Sequence, residues 1–219
     1  MNTSLIKNTE QFVQQTLRNA EGGHDWLHIQ RVWTNALEIA KTEDCNKEIV
    51  SLAALLHDIA DSKFHDGDEI IGSTTARRFL ENEQVDEPTI SSVTQIIQNI
   101  SFKGGKERRS FSSIELDIVQ DADRLDAMGA IGIARAFNYG GFKNRALYNP
   151  DILPDPNQSK QAYKNTTAPT INHFYEKLLL LKDLMNTKRG KAMAEERHNF
   201  MLTFLKHFFS EVGEKGFII

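Results

Sequence analysis

The feature that most constrains this chain is an apolar run over residues 49–56 that ends abruptly in charge. Ile49, Val50, Leu52, Ala53, Ala54, Leu55 and Leu56 follow one another almost without interruption and lead straight into His57, Asp58 and, one turn later, Asp61. The run is rich in helix formers, contains no Gly or Pro, and is apolar on nearly every side. It therefore predicts a helix surrounded by protein, around which the rest of the chain must pack. An ionised carboxylate at the end of such a helix is costly unless it is paired, hydrogen-bonded, bound to a metal or solvated. The His57-Asp58 doublet is thus either a solvated helix terminus or a chemical site.

Helical periodicity dominates elsewhere. Ile29, Val32, Trp33, Ala36, Leu37 and Ala40 recur at helical offsets behind Asp25, a candidate N-cap. Helices are expected over residues 69–82 and from Pro88 through Ile100, and Ser112 with Glu115 forms a capping-box pattern ahead of Ile114, Ile118, Ala122 and Leu125. Two more are expected over 170–185, with Phe174, Leu178 and Leu181 buried, and over Lys188–Glu211, with a stripe of Phe200, Leu202, Phe204, Leu205 and Phe208. No alternating strand pattern of useful length competes, so the expected fold class is all-α, a single-domain helical bundle covering residues 1–219. The length of 219 residues and the lack of a Gly/Ser-rich linker agree with one domain. Pro150, Pro154, Pro156 and Pro169 fall in a stretch at about 140–169 that Lys143, Arg145, Lys160 and Lys164 make basic. Loops of that length tend to be functional lids or disordered segments.

Charge and composition narrow the function classes. The chain has 26 Lys+Arg against 30 Asp+Glu, a formal net charge of −4, which excludes a basic nucleic-acid-coating protein. The Lys106, Arg108 and Arg109 cluster has no aromatic stacking pattern beside it, so no nucleic-acid partner is expected. No stretch reaches the ~18 apolar residues of a membrane span, and the N-terminal MNTSLIKNTEQF lacks the apolar core of a signal peptide. Cys45 is the single cysteine. The expected compartment is the cytoplasm, with no membrane partner; nothing in the sequence specifies an oligomeric state.

Other candidate groups share the character of the His57-Asp58 end. His24, His28, Arg31 and Asn35, at offsets of 4, 3 and 4, form one narrow stripe bordering an apolar helix face. Asp121, Asp123 and Asp126 lie among Ile118, Val119, Ala122 and Leu125, again an apolar setting for acids. Imidazole and carboxylate ligands from separate helices suit an octahedral first-row divalent ion with water in its open positions. Adjacent helical residues diverge by about 100°, so His57 and Asp58 can share one ion only if it sits beside the helix end.

The segments HDWLHIQRV, LLHDIAD and DADRLDAMGAIGIAR resemble, in order and spacing, the H...HD...D signature of HD-domain metal-dependent phosphohydrolases. HDWLHIQRVW, HDIADSKF, ISFKGG and HFYEKLLLLKDLMNT are similar, more narrowly, to the YedJ/YpgQ-type branch, and the resemblance runs from about residue 22 to 211. It implies a helical bundle of the HD-domain type and metal ligation by His28, His57, Asp58 and Asp123, with Asp121 the rival for the last place and Asp126 a nearby acid. One divalent ion is implied, Mn2+ favoured, with Mg2+, Fe2+, Co2+ and Ni2+ as the other candidates. Asp61 stands where many family members carry a catalytic glutamate; it either assists phosphoryl transfer or caps the helix and pairs with Lys63. His24 is assigned to substrate, to a metal-bound water or to a second ion, and His65 either to a similar role or to a surface turn. Arg31, Lys63 and Lys103 are the candidate substrate-binding cations, ahead of Lys143 and Arg145. His173, His198 and His207, among core-like neighbours, are expected to be structural. The implied function is hydrolysis of a small phosphorylated substrate, a nucleotide: a nucleoside or deoxynucleoside triphosphate releasing pyrophosphate. The alternatives are a phosphomonoesterase, a cyclic-nucleotide phosphodiesterase, or a non-catalytic nucleotide-sensing module with the 140–169 loop as its moving part.

Overall fold

The computed structural model describes residues 2–18, 25–59, 70–100, 111–158, 166–213 and 216–217. All regular elements among them are helical: α1 (Thr3–Thr16), α2 (Trp26–Ile39), α3 (Lys47–Leu56), α4 (Ile71–Asn82), α5 (Glu87–Asn99), α6 (Ile114–Asp126), α7 (Gly129–Phe142), α8 (Thr170–Glu176), a 3-10 helix (Leu178–Leu184) and α9 (Lys188–Glu211). The all-α expectation is met. The chain's contacts divide it into two compact units, Met1–Asp123 and Arg124–Ile219.

In the first unit α3 is the central helix, packed against α1, α2 and α5, while α4 packs on α5. Val50, Leu52, Ala53, Ala54, Leu55 and Leu56 have no solvent exposure. Each fully buried leucine contributes about 2 kcal/mol of apolar burial. Asn46 caps α3 by accepting from the Glu48 and Ile49 N–H groups, and buried Ser51 satisfies its hydroxyl on the Lys47 carbonyl. Helix α1 is absent from the expectations above, because only Leu5, Ile6 and Val13 mark its buried side within a polar sequence. Its Phe12 stacks on Phe79 of α4, with ring centroids 4.2 Å apart. Asp86 caps α5 and Pro88 sits in the first turn, as the sequence requires. The expected capping box at α6 is shifted: Ser113 Oγ, not Ser112, accepts from the Leu116 N–H, and the Glu115 carboxylate accepts from the Asn46 N–H instead.

The second unit holds α7, which the sequence reading lacked, and α8, the 3-10 helix and α9. Phe174 is completely buried between Phe137 and Phe204, at centroid distances of 6.0 and 5.8 Å. The helix expected over 170–185 breaks at Lys177, whose φ of −146° leaves helical space, and continues as the 3-10 helix. The stripe of α9 is also corrected. Phe200 and Leu202 are exposed, and Ala194, Met201, Leu205 and Phe209 form the buried face, because neighbours that are all apolar leave the helical phase ambiguous. Buried Asp126 accepts from Arg135 at 2.6 Å, and Arg197 donates to the Leu125 carbonyl.

The expected 140–169 loop begins later, since α7 runs through Phe142. Its described part is anchored. The Ala146 and Leu147 carbonyls accept from Thr170 and Ile171, Asn172 donates to the Ile152 carbonyl, and Arg145 donates to the Thr166 carbonyl. Tyr148 packs edge-on against Phe208 and Phe209. Lys160 and Lys164 lie outside the described residues.

Candidate metal centre

Three local structures in the first unit converge on one point. The Asp25 carboxylate caps α2 by accepting from the His28 N–H at 2.9 Å, so His28 lies in the first turn with its backbone held. Its side chain is 2% exposed. The next contributor sits at the end of α3. This helix stops at Leu56, His57 is its C-cap residue, and Asp58 lies beyond it in a turn. His57 keeps helical backbone angles, φ −62° and ψ −29°, so the two neighbouring side chains still diverge, and their donor atoms approach one another beside the helix end. The third is Asp123, in the last turn of α6.

The distances define a cluster. One donor atom each from His28, His57 and Asp58 lies within 4.8 Å of the others, a grouping able to hold a metal ion. His28 Nε2 is 3.9 Å from Asp58 Oδ2 and 3.7 Å from Asp123 Oδ1, and His57 Nε2 is 3.9 Å from the same Asp123 oxygen. The two imidazoles meet edge to face, with centroids 5.3 Å apart. These separations exceed hydrogen-bonding length yet are close enough for the donors to share an ion.

The tautomer of His57 supports that use. Its Nδ1 lies 2.9 Å from the Ala54 carbonyl, which can only accept, so Nδ1 carries the hydrogen. In the neutral ring the lone pair is then on Nε2, the atom in the cluster. A backbone carbonyl holding the outer nitrogen is the usual support of a metal-bound histidine. Exposure is graded across the donors. The His28 and His57 side chains are 2% and 5% exposed, Asp58 20% and Asp123 41%. The imidazoles form the dry floor, and Asp123 stands at the open rim where a substrate can enter. The donor set, two imidazoles and two carboxylates, fits a six-coordinate divalent ion with positions left for water or phosphate oxygen.

Asp121, the rival acid, is completely buried, and two helical positions place it about 200° around α6 from Asp123. Arg31 is half-buried on α2, one turn beyond His28, and Asn35 is buried another turn on, with its amide donating to the Ala122 carbonyl. His24, Asp61, Lys63, His65 and Lys103 lie outside the described residues, as do Lys106, Arg108 and Arg109. Of the three histidines expected to be structural, His173 and His198 are partly or largely covered, whereas His207 is exposed. Of the two contacts that hold donors in place, the Asp25 N-cap was legible in the sequence, while the bond from His57 to the Ala54 carbonyl required the structure.

No described helix is long and apolar enough to cross a membrane. Residues 26–128, which span the cluster, match the HD domain family. The chain is 39% identical over 211 residues to YpgQ of Bacillus subtilis (strain 168), covering 94% of this chain and 95% of that protein. Among solved structures it is similar to an HD-superfamily hydrolase from Bacillus thuringiensis, with 42% identity, TM-score 0.78, and coverage of 97% of this chain and 99% of the other. It is also similar to Bacillus subtilis YpgQ crystallised in complex with ADP, with a TM-score of 0.76, 36% identity over the aligned structures and 95% of each chain covered. A buried His–His–Asp cluster with a rim aspartate, set on helices in that family's order, makes the chain a member of the HD superfamily of the YpgQ type, an enzyme of the metal-dependent phosphohydrolase class.

Proposed function

We propose that the enzyme hydrolyses nucleoside or deoxynucleoside triphosphates between the α- and β-phosphates, yielding a nucleoside monophosphate and pyrophosphate. The observation that carries this reading is the cluster of His28, His57 and Asp58 donors with Asp123 at its rim. In it these four residues hold one divalent ion, Mn2+ by preference. The nucleotide class is supported by the ADP found with Bacillus subtilis YpgQ. The relatives that match 94% and 97% of the chain support treating residues 1–219 as one functional domain. The lone Cys45 and the nucleotide substrate agree with a cytoplasmic enzyme.

When bound, the ion supplies a Lewis acid for phosphate oxygens and an acidified water for in-line attack. The protein's own groups do the rest. His57 is kept in its Nε2-ligating tautomer by the Ala54 carbonyl. His28 is held by the capped start of α2, and both imidazoles exclude water from the inner side of the cluster. Arg31, on the same face of α2 as His28, balances phosphate charge, joined by Lys63, Lys103 and His24 on the substrate side. Asp61 handles a proton at the attacking water or the leaving pyrophosphate.

The test is metal analysis of the purified protein, followed by ion chromatography of products from the Mn2+-loaded enzyme with each nucleoside and deoxynucleoside triphosphate. Equal yields of pyrophosphate and monophosphate are expected. In parallel incubations, orthophosphate released from a nucleoside monophosphate would instead establish a phosphomonoesterase, ring opening of an added cyclic nucleotide a phosphodiesterase, and tight nucleotide binding without turnover a sensing module. Absence of any metal after loading would overturn the shared site.

A further inference from the structure

The polar stripe of α2 contains one member that neither metal nor substrate accounts for. His28 faces the donor cluster and Arg31 follows it by one turn, but Asn35 lies two turns from His28 and is only 8% exposed. Ala36 and Ile39 on its own helix and Ala122 on α6 have no solvent exposure. Its Nδ2 donates to the Ala122 carbonyl at 3.4 Å. Ala122 directly precedes Asp123, so one buried amide on the helix bearing His28 grips the backbone beside the rim aspartate.

A bond of that length adds little stability, and placing an amide in an apolar seam costs more than a leucine would. Its effect is directional. Helix α2 packs chiefly on α3, so little side-chain packing ties it to α6, whereas an N–H donor aimed at one carbonyl selects one register. Register matters here because a roll of α6 by a single residue moves Asp123 about 100° around the helix axis. That would separate Asp123 Oδ1 from His28 Nε2 and His57 Nε2, now 3.7 and 3.9 Å away.

We infer that Asn35 is a positioning residue, which sets the register of α6 on α2 and so keeps the Asp123 carboxylate within coordinating reach of the two histidines. This rests on the proposed ligand role of Asp123. Removing the amide leaves the helices packed but lets the rim ligand drift, so the metal is held by His28, His57 and Asp58 with a weaker or absent fourth bond. The residue acts through backbone and touches neither ion nor substrate.

The experiment compares Asn35→Leu, close in size and without a donor, with Asn35→Ala, Asp123→Ala and the unchanged protein. Mn2+ affinity is measured by calorimetry, the visible spectrum is recorded with Co2+ in place of Mn2+, and thermal unfolding is followed on the metal-free proteins. Asn35→Leu is expected to unfold no earlier than the parent yet to bind Mn2+ about tenfold more weakly, the scale of supporting contacts at metal sites. Its Co2+ spectrum is expected to move towards that of Asp123→Ala. Asn35→Ala carries the same test should the leucine variant fail to fold. Mn2+ affinity within twofold of the parent, or an unshifted Co2+ spectrum, would overturn the inference. If Asp123→Ala itself binds Mn2+ like the parent, the ligand assignment has failed; if Asp123→Ala weakens binding and the Asn35 variants do not, only the positioning role has.

Discussion

The closest approach in the second unit is a sensitive probe of its packing. A Cβ added at Gly140 would lie 2.1 Å from Thr170 Oγ1, 0.9 Å inside the 3.0 Å below which real contacts essentially never fall. Thr170 is 3% exposed, and its N–H is bonded to the Ala146 carbonyl, so its backbone cannot simply retreat. Overpacking of this kind costs up to about 3 kcal/mol. Replacing a glycine in the last turn of α7 by alanine returns at most about 1 kcal/mol of helix propensity. Gly140→Ala should therefore destabilise by about 2 kcal/mol, a fall in Tm of roughly 4–8 °C at this chain length. Thr170→Ala behaves differently. It loses about 0.8 kcal/mol of methyl burial but removes a buried hydroxyl with no hydrogen-bond partner, itself a penalty of about 1–3 kcal/mol, so the single change should range from neutral to stabilising by about 2 kcal/mol. In the double variant the clash disappears and the helix gain remains. The contact at 3.2 Å that is left, to the Cβ of residue 170, needs only a small adjustment. The pair should then couple by about 2–3 kcal/mol in urea unfolding followed by circular dichroism. Additivity within about 0.5 kcal/mol would refute the argument, because two residues that do not touch add to that precision.

Four other outcomes are expected. His57→Ala or Asp58→Ala should reduce Mn2+ affinity more than about 100-fold and abolish turnover, whereas Asp61→Ala should slow turnover with metal content largely retained; dialysis followed by metal analysis separates the cases. Arg31→Ala is expected to raise KM for a triphosphate more than it lowers metal content, and steady-state kinetics with an unchanged KM would remove Arg31 from the substrate site. Arg135→Leu removes the guanidinium that pairs at 2.6 Å with the 2%-exposed Asp126 carboxylate and should cost up to about 3 kcal/mol in denaturant unfolding, part of it restored by adding Asp126→Asn. Burial, with the nearby Lys177 and Arg145 charges, pushes His173 down to about 3. The unfolded chain binds the extra proton between the ordinary histidine value of 6.5 and that depressed value, so stability is full above 6.5 and declines as pH falls towards 3. His173→Phe should flatten the fall by up to about 1.4 kcal/mol per pH unit, and an unchanged slope in acid titrations of unfolding would contradict the burial argument.

What the one-dimensional pattern revealed depended on how strongly each segment was marked. Helix α3 was legible because its apolar run lacks any competing strand or turn signal, and α2 and α5 because Asp25 and Pro88 punctuate their starts. Helix α1 carries too few apolar residues to declare its face. Helix α7 was hidden by Gly129, Gly132, Gly140 and Gly141, which read as loop residues. In the structure Gly129 adopts a φ of +67° beside Arg197, and Gly140 admits Thr170. The phase of α9 was misread because an aromatic-rich helix satisfies several stripes at once.

The donor cluster shows the same division more sharply. Composition, spacing and order gathered His24, His28, His57, Asp58, Asp121, Asp123 and Asp126 as candidate donors, since residue type decides donor chemistry and helical offset decides which side chains can face one cleft; the resemblance to HD-domain phosphohydrolases then selected His28, His57, Asp58 and Asp123 and implied the reaction class. The tertiary structure alone decided that α3 ends before His57, that His57 turns its Nδ1 to the Ala54 carbonyl and its Nε2 inward, and that Asp123 brings an oxygen to 3.7 and 3.9 Å from the two histidines. A local sequence determines where a side chain points on its own helix; the partner it meets depends on how two distant helices are registered, and that is settled by packing over the whole unit.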